Sequence, residues 1–297
     1  MTLALTHSVA LMGLEGHLVT VEVDIADGLP GYALLGLPDA ALSESRDRVR
    51  SAIVNCNEVW PNRKVTVSLS PAWLPKSGSS FDLAICIALL AAHETLPQEK
   101  IAEIVFMGEL SLDGRIRSVR GVLPALMAAY KAGIRTAVVP AANFEEAQLM
   151  QSMKIVPMEH LKQVLRWLRT GEREVMQQID LQWEQTDTRL DFADVAGQSA
   201  ARLAAEIAAI GGHHIMLIGP PGAGKTMIAE RIPTIMPALS IAQALEVTAV
   251  HSIAGTLTQR SPLSLLAPIV SPHHTTTRIA MVGGGSHAIK PGACSLA

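Results

Sequence analysis

Aromatic side chains and cysteines are both scarce in this sequence. Aromatics make up 3% of the 297 residues, which argues against a protein whose main task is to stack the bases of single-stranded nucleic acid on its rings. The three cysteines stand far apart and form no CxxC pair. Their number and spacing indicate a reducing compartment and give no support to a zinc site.

Long apolar runs and a large excess of charge of one sign are lacking as well. The longest apolar run, residues 83–92, has ten residues, whereas a helix that spans a bilayer needs about 20. The N-terminus has no basic stretch followed by a long apolar core, so we predict no signal peptide, no membrane contact and a cytoplasmic location. The net charge of −3 excludes a generally basic coat for nucleic acid but leaves a local basic patch open.

Aliphatic residues, by contrast, are abundant. Hydrophobic residues make up 49% of the chain, which excludes a wholly disordered protein, and the surplus of Ala, Leu, Ile and Val is typical of an α/β fold. Alternation of apolar and polar residues over 19–25 predicts a half-buried strand, and residues 80–92 predict a buried helix. Asp113-Gly114 predicts a hairpin between strands at 104–112 and 115–119.

The length corresponds to about two domains, at roughly 150 residues per domain. From 169 to 189 the sequence turns polar and is rich in Glu, Gln, Asp and Thr. We interpret this stretch as a linker, and we predict one domain over residues 1–168 and a second over residues 190–297.

The most informative segment is 219–226, which matches the pattern G-x-x-x-x-G-K-[ST] in full. Its residues are Gly219, Pro220, Pro221, Gly222, Ala223, Gly224, Lys225 and Thr226. Glycines let the backbone N–H groups surround phosphate oxygens, Lys225 can reach the β- and γ-phosphates, and the Thr226 hydroxyl can ligate Mg²⁺. With a predicted strand at 213–218 and a predicted helix at 225–235, the loop predicts nucleotide binding with ATP and Mg²⁺.

Other segments along the whole chain resemble one protein family. They read VEVD at 21–24, GLPG at 28–31, RDRVRSA at 46–52, DFADVAGQ at 191–198, SPHHT at 271–275 and MVGGG at 281–285. Together with the loop, they are similar to the magnesium-chelatase-like AAA+ ATPases of the ComM/YifB type. The resemblance implies a Lon-protease-like (ChlI-type) α/β domain at 1–168, followed by part of a P-loop AAA+ domain at 190–297.

The function that this resemblance implies is ATP-driven branch migration or remodelling of DNA in natural transformation. It implies DNA as a partner, a homo-oligomeric and hexameric ring, and ATP hydrolysis as the chemistry. Family members continue past a Gly-Glu-Ile-Ser-Leu-Ala segment into a strand with an acidic pair, the Walker B strand, where this sequence reads GACSLA at 292–297. We therefore expect an N-terminal part of such a protein, which binds ATP but hydrolyses it inefficiently, and we assign no catalytic residue.

Two alternative functions stay open. One is a chelatase-like motor that inserts a metal ion into a tetrapyrrole, and the other is a nucleotide-binding module that does not hydrolyse ATP. The Lon-like N-terminal domain disfavours the first, because the chelatase ATPase subunit generally lacks it. The absent acidic strand favours the second.

A further resemblance, to Lon proteases, concerns residues 75–80 and 108–115. These enzymes use a Ser-Lys dyad, and Ser80 stands in the place of the nucleophile, but Leu123 stands in the place of the lysine. A serine hydroxyl without a neighbouring base is a poor nucleophile at neutral pH. We therefore predict a Lon-like fold without peptidase activity, in which Ser80 caps its helix and Asp82 lies in the first turn.

Two groups of arginines leave two interpretations open. They are Arg46, Arg48 and Arg50 in one segment and Arg115, Arg117 and Arg120 in another. Such charges can contact DNA phosphates without any sequence-specific spacing. Equally, they can form a solvated face paired with Glu44, Asp47 and Asp113.

The histidine pairs 213–214 and 273–274 raise the possibility of a metal site. Adjacent residues of a strand point to opposite faces, so neither pair chelates one ion well by itself. No Cys or Glu stands at a spacing that would complete a tetrahedral set. We therefore predict no metal site at these histidines.

Overall fold

The computed structural model describes residues 2–172, 190–257, 263–285 and 290–297. The described chain divides into two compact units, one built mainly from residues before the predicted linker and the other mainly from residues after it. Most of that linker, 169–189, lies outside the described residues.

The first unit contains both strands and helices. Its strands are β1 (Thr2–Met12), β2 (Glu15–Ala26), β3 (Gly31–Leu35), β4 (Lys64–Ser70), β5 (Ile104–Phe106), β6 (Glu109–Leu110), β7 (Ile116–Arg117), β8 (Thr136–Pro140) and β9 (Lys154–Met158). Its helices are α1 (Ala40–Ser43), α2 (Ser45–Asn55), α3 (Asp82–Ala92), α4 (Val122–Lys131), α5 (Phe144–Ala147) and α6 (Leu161–Thr170). The strand predicted from the alternation at 19–25 lies within β2 and is confirmed.

One seven-stranded sheet organises this unit, in the order β3-β4-β2-β1-β5-β8-β9. β2 is antiparallel to β1 and β4, and the remaining neighbours are parallel. Helices cover both faces, because Val138 of β8 packs in the core cluster that contains α3, and the next residue, Val139, packs in the cluster that contains α4. The predicted α/β class is confirmed.

The hairpin predicted around Asp113-Gly114 is present but much shorter than expected. β5 joins the large sheet, and only β6 and β7 pair across the turn. Gly108 separates β5 from β6: it has a φ of +151°, and a Cβ there would lie 2.6 Å from Ile116 Cγ2. The chain therefore turns at Gly108, and the apolar pattern over 104–112 does not reveal this.

From residue 190 onward the described elements are mostly helical. They are α7 (Ser199–Gly211), α8 (Lys225–Arg231), α9 (Ile241–Ala254), α10 (Arg278–Val282), β10 (Gly283–Gly284), β11 (Lys290–Pro291) and α11 (Ala293–Leu296). A small core cluster in the second unit joins Phe192, Val195, Ala205 and Ile228. It ties the 191–198 segment and α7 to α8, the helix that follows the loop 219–226.

Candidate functional site

The loop 219–226 leads directly into α8, and its two inner glycines have a backbone reason to be glycine. Gly222 and Gly224 have φ values of +80° and +81°, a conformation in which a side chain is strained. No atom lies within 4 Å of a Cβ built at Gly222. The requirement for glycine at Gly222 is therefore conformational and not steric.

Lys225, the first residue of α8, folds its side chain back over the loop. Its Nζ donates to the carbonyl oxygens of Gly219 at 2.9 Å and Pro220 at 2.8 Å. Among the described residues, the backbone N–H groups of Lys225 and Thr226 have no acceptor. The loop therefore brings one ammonium group and unpaired N–H donors together, which is the donor set that a polyphosphate requires.

The strand predicted at 213–218, immediately before the loop, is not formed. The segment keeps the alternation of a strand, since Ile215 and Leu217 pack against the small core, whereas Met216 and Ile218 are 82% and 84% exposed. A strand also needs a hydrogen-bonded neighbour, and no described strand pairs with this segment. The predicted strand is therefore wrong for this segment, because the sequence does not identify the hydrogen-bonded neighbour that a strand requires.

The helix predicted at 225–235 also ends earlier than expected. α8 ends at Arg231, and a 3₁₀ turn covers Ile232–Ile235. Pro233 has no N–H to donate to the preceding turn, so the α-helix stops before it.

The segment 191–198 is attached by polar contacts to the loop, to α8 and to the 3₁₀ turn that follows α8. The Phe192 N–H donates to Thr234 Oγ1 at 3.1 Å, Asp194 lies 3.7 Å from Arg231 Nε, and Gln198 Nε2 is 3.5 Å from the Ala223 carbonyl oxygen. Reasoning from the sequence did not assign Gln198 to the site. The backbone of Gln198 is left-handed, with a φ of +49°. This conformation is commonly expected only at Gly, Asn or Asp, so the sequence does not predict it at a glutamine.

In the first unit, Ser80 does not have the role predicted for it. α3 begins at Asp82, its N-cap residue is Phe81, and no side chain caps it, so the predicted cap by Ser80 is wrong. The Ser80 carbonyl oxygen accepts a bond from the Gly108 N–H at 3.0 Å. In the described ranges, no hydrogen bond reaches the Ser80 hydroxyl.

The lysine position of the Lon dyad is also without an amine. Leu123 is fully buried in the core cluster around α4. Lys76, four residues before Ser80, is fully buried as well, and its Nζ donates to the carbonyl oxygens of Leu69 and Pro71. Burial lowers the pKa of Lys76, but the ammonium is already bonded to the backbone.

We therefore expect no peptidase activity from this unit, because a serine without a base does not attack an amide. Casein or a fluorogenic peptide, incubated with a high concentration of the 297-residue chain, should remain intact. Hydrolysis that disappears in the Ser80→Ala variant and persists in the neighbouring Ser77→Ala variant would contradict this expectation.

The two arginine groups behave differently in the structure. Arg48 makes a two-pronged contact with Asp82 at 2.6 Å and 3.0 Å, and the Asp82 side chain is 0% exposed. Burial raises the pKa of Asp82 to about 6, although the bonds from Arg48 favour its ionised form. Of the ion pairs that the solvated-face interpretation predicts, Arg48 with Glu44 at 3.7 Å and Arg115 with Asp113 at 3.2 Å are formed.

Among the described residues, no group of three or more His, Cys, Asp or Glu side chains is arranged to hold a metal ion. His273 Nδ1 lies 2.8 Å from Thr275 Oγ1, and the centroids of the His273 and His274 rings are 4.1 Å apart with the ring planes tilted by 40°. The described part of the chain also contains no helix long and apolar enough to cross a bilayer.

Comparison with known proteins gives two family matches. Residues 21–143 match a family model described as subunit ChlI of Mg-chelatase. Residues 191–297 match a second model, described as magnesium chelatase, subunit ChlI. The second match contains the loop, and the first contains most of the large sheet.

Several curated proteins align with the whole chain. An uncharacterised protein of Mycobacterium tuberculosis is 50% identical over 297 residues, which are 59% of its own length. The uncharacterised protein YifB of Escherichia coli is 40% identical and the competence protein ComM of Haemophilus influenzae is 37% identical, and 58% of each is covered. The chain therefore spans less than two thirds of the length of these relatives.

The resemblance to Lon proteases is confirmed for about half of the chain. Lon protease 1 of Myxococcus xanthus is 28% identical over 165 residues, which are 52% of this chain and 20% of that protein.

Proposed function

Because the chain belongs to the magnesium chelatase ChlI family and is ComM/YifB-like along its whole length, we propose that residues 219–226 bind the phosphates of ATP together with Mg²⁺. The observation that carries the proposal is the position of Lys225. Its ammonium rests on the Gly219 and Pro220 carbonyl oxygens, at the mouth of a loop with unpaired N–H groups. An ammonium bonds more strongly to an anionic phosphate oxygen than to a neutral carbonyl oxygen, so a triphosphate can displace these two contacts.

The donor set also suits Mg²⁺ held jointly with a nucleotide. Thr226 is exposed, and no hydrogen bond of its hydroxyl is found in the described ranges. Mg²⁺ commonly takes one or two ligands from the protein and the rest from phosphates and water. Thr226 would supply the protein ligand, and the ion, when bound, would neutralise phosphate charge.

The experiment is a calorimetric titration of the 297-residue chain with ATP, with Mg²⁺ and with EDTA. We expect saturable binding at one site that is tighter with Mg²⁺. In the Thr226→Ala variant this preference for Mg²⁺ should shrink, while binding in EDTA should change little. Thr276→Ala, a threonine outside the loop, serves as the control and should behave as wild type. Equal loss in both variants, or wild-type binding that ignores Mg²⁺, would contradict the proposal.

For the protein as a whole, we propose ATP-driven remodelling of DNA, of the branch-migration type, by a homo-oligomeric ring in the cytoplasm. Residues 1–168 would form its Lon-like domain and residues 190–297 the ATP-binding part of its AAA+ domain. The support is that a protein named for competence, ComM, aligns along the whole chain, including the Lon-like part. This favours remodelling of DNA over insertion of a metal ion. Metal insertion is supported only by the descriptions of the two family models, which name magnesium chelatase.

A further inference from the structure

An open cavity of about 590 Å³ lies on the first unit, beside the Asp113-Gly114 turn. Its volume falls within the range of sites that hold small molecules or single groups of larger ligands. Side chains that line it include Ser111, Asp113, Arg115, Arg117, Ala141 and Glu159. Neither the proposed nucleotide loop nor the Lon-like position at Ser80 contributes to it.

The two arginines of this cavity are held in place at one end. They flank Ile116, which is buried, so residues 115 and 117 face the same side of an extended segment. The Nε atom of Arg115 lies 3.2 Å from Asp113 Oδ2, and the Nε–H of Arg117 donates to Ser111 Oγ. No hydrogen bond from the terminal amino groups of either arginine is found within the described ranges. The hairpin therefore holds each guanidinium group through its Nε atom and leaves the terminal amino groups available to a ligand.

The carboxylates of the cavity differ in what they already bind. Asp113 Oδ1 accepts the Arg115 N–H at 3.1 Å, so this side chain closes the turn as well as pairing with Arg115. An exposed ion pair of this kind contributes little to stability, and it does not prevent Arg115 from contacting another anion. Glu159 has no ion pair in the described residues, and its charge opposes an anionic ligand.

We propose that Arg115 and Arg117 contact the backbone phosphates of DNA at this cavity, an inference that rests on the proposed DNA partner. A guanidinium group presents parallel N–H donors that match two oxygens of one phosphate. Arg48, from the other arginine group, is not available, because it is bound to the buried Asp82. The low aromatic content also favours contact with the backbone over stacking on bases.

The test is fluorescence anisotropy of a short labelled DNA duplex, titrated with the 297-residue chain at several salt concentrations. The double variant Arg115→Ala/Arg117→Ala should bind about tenfold more weakly at low salt. The slope of log affinity against log salt should become shallower by about 2, because each lost phosphate contact removes about 0.9 from it. Glu159→Gln should bind DNA more tightly than wild type, an effect of opposite sign that a structural role would not produce.

The matched control is Arg63→Ala, since Arg63 also forms an exposed pair with an aspartate, Asp27, at 3.4 Å. It should change affinity much less than the double variant. Wild-type chain that does not bind the duplex, an unchanged salt slope in the double variant, or an equal effect in the control would overturn the inference. The ATP titration measures nucleotide binding by the loop 219–226 independently of DNA binding. A failure of the proposed nucleotide site can therefore be distinguished from a failure of the proposed DNA contact.

Discussion

Replacing Lys225 by alanine should weaken the binding of ATP and Mg²⁺ by roughly 10- to 100-fold. A hydrogen bond between charged groups contributes about 1.5–3 kcal/mol, and Lys225 is the charged side chain of the loop 219–226. The variant also loses the bonds from Nζ to the Gly219 and Pro220 carbonyl oxygens. These bonds are exposed, so we expect the fold to survive. Calorimetry with ATP and Mg²⁺ measures the change, and circular dichroism checks the fold.

The chain provides a matched control for this experiment. Lys290 is the other lysine of the C-terminal part, and it is exposed in β11. Lys290→Ala should bind ATP as wild type does. Unchanged affinity in Lys225→Ala, or the same loss in both variants, would mean that the loop does not hold the phosphates.

Replacing Arg48 by methionine should lower the free energy of unfolding of the first unit by about 3–5 kcal/mol at neutral pH, because removing one partner of a buried ion pair leaves the other charge uncompensated. The charge left behind is Asp82, which would keep only the Leu110 N–H at 3.2 Å. Urea denaturation measures the effect. Arg63→Met breaks the exposed pair with Asp27 and should cost less than about 1 kcal/mol.

The same carboxyl predicts how this loss depends on pH. The pKa of Asp82 is raised by burial to about 6 in the folded chain, whereas an unfolded aspartate titrates near 3.9. The folded chain therefore binds this proton more tightly, and the contribution of Asp82 to stability falls as the pH rises from about 4 to about 6. Without Arg48 the pKa rises further, so the deficit should be smaller at about pH 5 than at about pH 8.

A double variant separates the buried charge from the lost packing. Arg48→Met combined with Asp82→Asn should recover most of the stability at neutral pH, because no uncompensated carboxylate remains. A double variant as unstable as the single variant, with no dependence on pH, would show that Arg48 stabilises the unit by packing alone.

Local pattern was enough to predict several features of the fold. The alternation of Val19, Val21, Val23 and Ile25 predicted a strand because side chains of a strand alternate between its faces, and these residues are buried in β2. The motif at 219–226 predicted a glycine-dependent loop that leads into a helix, and α8 begins at Lys225 after Gly222 and Gly224 with their positive φ values.

Local sequence patterns do not predict contacts between side chains that are distant in the sequence. Arg48 and Asp82 are 34 positions apart, and Ser79, which donates to Glu109, is 30 positions from it. No periodicity links such pairs, so the sequence left Arg48 open between a DNA-facing patch and a solvated face and did not reveal its contact with Asp82. Residues 213–218 have the pattern of a strand, but strand formation depends on a neighbour that the pattern does not identify. A single sequence therefore predicts local patterns, such as alternation along a strand. It does not predict which distant residue completes a side-chain contact or a pair of strands.

Hydrogen exchange of the backbone amides, measured with and without saturating ATP and Mg²⁺, shows whether the loop 219–226 holds the phosphates. Exchange should slow at residues 224–226, whose N–H groups have no acceptor among the described residues and would bond to phosphate, and Lys225→Ala should reduce this protection at the same ATP concentration. Protection that appears only elsewhere in the chain, or no protection at saturating ATP, would contradict the assignment of the nucleotide site to this loop.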